Sequence, residues 1–139
     1  MDEIFIDASF WFAIALPPDS NHDSANRYWQ LILEGDRSTV TTNWTLYEAA
    51  TILNGRRLGR HDIAIELLDL AERTTTIVDA ATIEDTALNI FTSHADKRWS
   101  VVDCANFVCM KECQSLYALS FDRDFAQAQA EFGFTLLGA

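Results

Sequence analysis

The apolar positions along the chain fall into short runs divided by polar punctuation, and the runs alternate between two periods. "EIFID" (3–7) is a brief apolar stretch ending in a carboxylate and predicts a buried strand. "STVTT" (38–42), "TTTIVD" (74–79), "YALSF" (117–121) and "FTLLG" (134–138) predict four more. Helical patterns lie between them: "ASFWFAIAL" (8–16), a capped segment over 19–35 closing at Gly35, 43–57 ending near Gly55, and an amphipathic stretch over 60–73. Three more follow, over 80–95, over 99–112, and a short one over 122–133 with a stop. The adjacent Pro17 and Pro18 mark a loop. Short apolar strands alternating with helices predict an α/β fold of three layers around a mainly parallel sheet, with residues 1–139 as one domain. In such sheets sites form beyond the carboxyl ends of the strands.

One helix poses a question. "WSVVDCANFVCMKE" (99–112) is apolar almost all round, the mark of a buried helix, yet Asp103 lies in its first turn. Its helical neighbours are Trp99, Ser100, Asn106 and Phe107, so no cation is in local reach. Three other acids hold comparable places. Asp7 ends the first strand, Asp122 follows "YALSF", and Glu48 lies in the helix after the second strand among Trp44, Thr45, Thr51 and Ile52. Each has a structural reading. Ser100-x-x-Asp103 and Thr45-x-x-Glu48 both fit a capping box, and Asp122 and Asp7 could cap the segments they precede. Four acids that converge without cations would repel one another in a low-dielectric pocket. A divalent ion with a preference for oxygen ligands, Mg²⁺ or Mn²⁺, relieves that repulsion.

Composition narrows the classes. The net charge is −11, with 21 acidic residues against 10 basic ones, which argues against sequence-independent clamping of nucleic acid by a broad basic surface. It does not exclude a nuclease whose carboxylates hold metal. No apolar run approaches the roughly 20 residues of a membrane span, and the acidic start "MDEIFID" lacks the basic region of a secretory signal. A soluble, cytoplasmic protein is expected. Cys104, Cys109 and Cys113 form no C-x-x-C pair and read as thiols of a core helix; His22, His61 and His94 are isolated and read as surface or cap residues.

Four blocks together resemble a PIN domain, most closely the ribonuclease toxin type of VapBC toxin–antitoxin pairs: "FIDASFWFA", "TNWTLYEAATIL", "KRWSVVDCANFVCMKE" and "ALSFDRDFAQAQAEFGFTLL". Their order and spacing match over essentially the whole chain. The S-x-x-D helix start and the F-D-x-x-F turn are the most specific features, whereas "DAS" alone is weak. The resemblance implies an α/β/α sandwich with a five-stranded sheet in the order 3-2-1-4-5. It also implies Mg²⁺- or Mn²⁺-dependent endonucleolytic cleavage of RNA by metal-activated water, leaving a 5′-phosphate and a 3′-hydroxyl. Asp7, Glu48, Asp103 and Asp122 match the acidic quartet as catalytic residues and metal ligands. Asp124 is a second acid of the last motif that could replace or assist Asp122. Ser100 matches the polar residue heading the third motif, Ser9 belongs to "DAS", and both are read as supporting the acids. Asp96, just before the third motif, is an outlying candidate. The ending "DFAQAQAEFGF" is longer than the family's compact F-x-x-A-G-F.

Cations that guide RNA are sought among Arg123, Lys97 and Arg98, which flank motif blocks, and in the cluster Arg56, Arg57 and Arg60. A small antitoxin protein whose basic tail enters the acidic site is the partner the resemblance implies. A surplus of apolar residues in the helices over 9–16, 24–33 and 60–72 predicts a homodimer. Two other readings compete. One is a non-catalytic module that receives a basic partner segment in its acidic pocket. The other is a Mg²⁺-dependent phosphotransfer domain, for which "DAS" lacks the needed D-x-D. No Ser/His or Cys/His pair suggests another nucleophile.

Overall fold

The computed structural model describes residues 3–138. Met1 and Asp2, which begin the acidic N-terminal segment, lie outside them. The strands are β1 (Ile4–Ile6), β2 (Thr39–Thr42), β3 (Thr76–Val78), β4 (Tyr117–Ser120) and β5 (Thr135–Gly138). The helices are α1 (Ala8–Ala15), α2 (His22–Glu34), α3 (Asn43–Asn54), α4 (His61–Thr74), α5 (Glu84–Ser93), α6 (Val101–Glu112) and α7 (Gln129–Phe132). The strands form one sheet in the order β3-β2-β1-β4-β5, and every neighbouring pair is parallel.

Strand β1 is central and buried on both faces, which is why its three residues are all large and apolar. Ile4 and Ile6 point into a core built from α1 to α4, with Phe10, Trp11, Trp29, Leu46, Leu53 and Leu67. Phe5 points the other way and joins Val40 and Ala118, its neighbours in register, beneath α6. The second core is aromatic at its centre: the Phe107 ring lies 5.0 Å from Trp99, 5.0 Å from Phe132 and 5.1 Å from Phe125. Strand β2 is buried although three of its four residues are threonines. Its hydroxyls are satisfied internally: Thr41 donates to the Ile6 carbonyl at 2.8 Å, and Thr39 donates to the Thr74 carbonyl at 3.2 Å.

Several boundaries differ from the sequence pattern. The helix expected over 80–95 is split: Asp79 caps a 3-10 turn over Ala80–Ile83, and α5 starts only at Glu84. The segment over 122–133 divides likewise into a 3-10 turn (Arg123–Ala128) and the single-turn α7, which ends at Gly133 in the left-handed region (φ 72°). The long "DFAQAQAEFGF" ending is absorbed in this way. The apolar residues of α1 are not surplus: Phe10, Trp11 and Ala13 are fully buried within the chain's own core. On α2 and α4, by contrast, Leu31, Leu33 and Ile65 are more than half exposed. No helix among the described residues is long and apolar enough to cross a membrane.

Candidate active site

The sheet reverses its winding at β1: the chain leaves it toward β2 on one side, while β4 lies on the other. The crevice beyond the carboxyl ends of β1 and β4 is where an open α/β sheet forms its ligand site. Asp7 is the residue after β1, and its main-chain N–H donates to the Leu119 carbonyl of β4 at 3.0 Å. Its side chain is 5% exposed. Oδ2 accepts from the hydroxyls of Ser120 at 2.8 Å and Ser9 at 2.9 Å, and also caps α1 through the Ser9 N–H at 3.4 Å. Oδ1 accepts from Nδ2 of Asn106 at 3.4 Å. Burial drives the Asp7 pKa above the ordinary carboxylate value, against the opposing pull of the Ser120 and Ser9 hydrogen bonds.

Asp103 is held by the capping box that its spacing predicts. Ser100 Oγ accepts the Asp103 N–H at 3.0 Å, and Asp103 Oδ2 accepts the Ser100 N–H at 3.0 Å. The capping role does not make the group electrostatically idle. Burial, and then the charges of Asp7, Asp122 and Glu48, push its pKa up to about 7. Glu48 stands at the rim of the same crevice, where partial burial and then the charges of Asp7 and Asp122 raise its pKa. The capping box expected at Thr45 and Glu48 does not form. Thr42 is the N-cap of α3 and accepts the Thr45 N–H at 3.1 Å, so Thr45 lies inside the helix, buried, and Glu48 has no cap to complete. Asp122 caps the turn after β4 by accepting the Asp124 N–H at 2.9 Å, while its own N–H donates to Ser120 Oγ at 3.0 Å.

Asp7, Glu48, Asp103 and Asp122 line one cavity of about 550 Å³, together with Ser9 and Ser100. No Lys or Arg is among the residues that line it. Two of its polar residues escaped the sequence reading. Asp19 and Asn21 come from the loop after Pro18, and Asp19 Oδ2 accepts the Asn21 N–H at 3.0 Å. "DSN" precedes α2, which begins at His22 with Asn21 as its N-cap, and the triplet is a turn over the cavity edge. A carboxylate and an amide directly after Pro-Pro were the available signal. Phe12, Ile52 and Phe121 give the cavity an apolar wall.

The comparisons with known proteins bear on the family and the fold. The family model described as PIN domain matches residues 4–131. This chain belongs to the PIN-domain family. Two sequences named 23S rRNA-specific endonuclease VapC20, from two strains of Mycobacterium tuberculosis, are each 32% identical to it over 127 residues, covering 90% of this chain and 93% of the relative. The crystal structure of Mycobacterium tuberculosis VapC20, titled there a sarcin–ricin loop cleaving toxin, superposes with a TM-score of 0.80 at 29% identity, over 96% of this chain and 97% of that one.

The remaining candidates of this PIN domain lie outside the cavity. Asp124 is two residues after Asp122, but the role its contacts show is main-chain: its carbonyl accepts Trp99 Nε1 at 3.1 Å. Asp96 pairs with Lys97 at 3.6 Å. Lys97 also stands 5.9 Å from the Trp99 ring centre, and Arg98, Arg123, Arg56 and Arg57 are exposed. Arg60 is tied to Asp62 at 3.0 Å. Of the thiols read as core residues, Cys104 and Cys109 are buried, while Cys113, the C-cap of α6, is half-buried; burial pushes Cys104 up to about 11 and raises the other two. His94 binds Glu131 at 2.9 Å and packs against Trp99 rather than against any acid of the cavity.

The cavity fits a hard divalent cation by its donor set, which is carboxylate and hydroxyl oxygen with the Asn21 amide, and by the burial, and then the mutual repulsion, that raise Asp103 and Glu48. The fit is one of composition. Among the described residues no three acidic, His or Cys side chains are drawn together closely enough to hold one ion. Asp7, Asp103 and Asp122 each accept a main-chain N–H as part of a cap.

Proposed function

We propose that this PIN domain is a divalent-metal-dependent endoribonuclease and the toxin of a toxin–antitoxin pair, with Asp7, Glu48, Asp103 and Asp122 as its catalytic acids. The observation that carries the reading is the convergence of these four carboxylates on one cavity without a basic residue, at the point where the sheet reverses its winding. The likeness to VapC20, an RNA endonuclease by name, supports RNA as the substrate. Mg²⁺ or Mn²⁺ bound there would activate water and offset the charge that develops on the phosphate. The chain's own part is positional. Asp7 is anchored through one carboxylate oxygen at a strand end by two serines, and Asp103 is held at a helix start by Ser100, so both present carboxylate from elements with little freedom. Glu48 and Asp122 complete the shell from the rim, with Asp124 in reserve. Ser9 and Ser100 hold their acids in place, while Arg123, Lys97, Arg98 and Arg56 lead cytoplasmic RNA toward an otherwise acidic molecule.

A small antitoxin carrying a basic segment suits a cavity of this charge. A homodimer would cover the exposed apolar residues Leu31, Leu33 and Ile65. One observation favours the second reading, a non-catalytic module that binds a basic segment: each of three acids is already engaged by a cap. Offering purified protein unstructured RNA, and a hairpin bearing the sarcin–ricin loop, separates the two. Cleavage with Mg²⁺ or Mn²⁺ that stops in EDTA supports the enzyme; intact RNA under every condition supports the module.

A further inference from the structure

Asn106 is fully buried within α6, in a run from Cys104 to Met110 that is otherwise apolar. A buried amide is costly unless its bonds are made, and this one joins three elements. Its Oδ1 accepts the hydroxyl of Thr45 on α3, and its Nδ2 donates to Oδ1 of Asp7 at the end of β1. The chain of bonds continues one step back: Thr42 donates its hydroxyl to Thr45 Oγ1 at 3.0 Å and accepts the Thr45 N–H at 3.1 Å. Each link therefore has a direction. Thr42 Oγ1 takes a main-chain proton and passes its own to Thr45; Thr45 passes its own to Asn106. The amide is left to present its NH₂ to the carboxylate. The reverse orientation would set an amide oxygen against a carboxylate oxygen.

We propose that Asn106, oriented by Thr45, is a positioning residue that holds Asp7 in the attitude a cation requires; the inference rests on the metal-dependent reading above. Ser9 and Ser120 both bind Oδ2, which leaves the carboxylate free to swing about that oxygen. Among the described residues Asn106 is the side chain that reaches Oδ1 and stops the swing. Because Asn106 is on α6, the same contact ties Asp7 to the helix that carries Asp103.

The test is calorimetric titration of Mn²⁺ into the full chain as wild type, Asn106→Leu, Thr45→Val and the double variant, each checked for fold by circular dichroism. Asn106→Leu should weaken Mn²⁺ affinity roughly tenfold or more, the usual scale for residues that orient a ligand. Thr45→Val, which never touches Asp7, should weaken it in the same direction by about threefold or more, and the double variant should be no worse than Asn106→Leu, as links of one chain require. If Asn106→Leu does not fold, Thr45→Val decides alone. Mn²⁺ affinity within about twofold of wild type in a folded variant, with the melting temperature lowered, overturns the proposal and leaves Asn106 a core residue only. A wild type that takes up no Mn²⁺ overturns the metal reading itself, and the positioning role with it.

Discussion

Replacing Asp103 by Asn tests the electrostatics of the cavity without any substrate. The exchange keeps the side chain's shape and a carbonyl oxygen for the Ser100 N–H, but removes one of four crowded charges. Ionising Asp103 costs the folded state and not the unfolded chain, because its pKa rises from 3.8 to about 7 on folding. The native state thus holds the extra proton, and stability falls as pH rises through that window. The penalty is absent below the lower value, grows between the two, and is complete above about 7. At about 1.4 kcal/mol per pH unit the ceiling is about 4 kcal/mol. Asp103 is only partly enclosed, so solvent screening brings this to about 2–3 kcal/mol. Against it stands a loss of about 0.3–1 kcal/mol, because a carboxylate in the first turn favours the helix dipole. The variant should therefore be more stable than wild type by about 1–2 kcal/mol at pH 8 in EDTA, a rise in Tm of roughly 3–8 °C for a chain of this size. Near pH 4 the two should melt within about 2 °C of each other, as uncharged side chains do. Thermal melts followed by circular dichroism at half-unit pH steps read the difference. A difference that stays flat with pH, or a variant less stable at pH 8, would refute the repulsion and leave Asp103 a capping residue.

Further outcomes follow from the same structure. With Mn²⁺ at about a hundred times its Kd the wild type should gain about 2.7 kcal/mol, and Asp7→Asn should lose most of that gain in a parallel melt. Phe107→Ala, at the centre of the aromatic core, should cost about 3–5 kcal/mol in urea unfolding; a loss below about 1 kcal/mol would mean that the cluster packs otherwise. Cys104 and Cys109 should resist a thiol reagent in the native state, and rapid labelling of either would contradict their burial. Charged substitutions at Leu31 and Leu33 should shift a dimer to monomer in light scattering; a wild type that is monomeric at tens of micromolar, a rough range for weak association, removes the dimer.

The positions of the strands were legible because each is a short apolar run with polar ends, and "IFI" is apolar on both faces as a central parallel strand must be. Asp7, Glu48 and Asp122 were legible because each follows a strand, whereas Asp103, on a helix that follows α5, was legible as a charge in the first turn of an otherwise apolar helix. The strand order was not legible from periodicity; it came from the resemblance to a family. What was missed is tertiary. Asn43 Oδ1 accepts the Ala80 N–H at 2.8 Å, a contact from α3 that helps to fix the 3-10 turn and so shortens α5. Thr45 looked like a cap because only the structure shows Thr42 taking that role. Asn106 was visible as the one polar residue among buried apolar ones, but its partners lie on β1 and α3, and no local rule names them. Ser120 was hidden in the same way at the end of an apolar strand.

The proposed chemistry is cleavage of RNA by the four acids through a divalent ion. It is tested most directly by one assay: end-labelled RNA incubated with the wild type and with Asp7→Asn, Glu48→Gln, Asp103→Asn and Asp122→Asn, in Mn²⁺ and in excess EDTA, with product ends identified. Metal-dependent cleavage by these acids requires that the wild type cut only with metal, leaving 5′-phosphate and 3′-hydroxyl ends, and that each folded variant lose at least about a hundredfold in activity. Undiminished cleavage in EDTA, or full activity in Asp7→Asn, would contradict it.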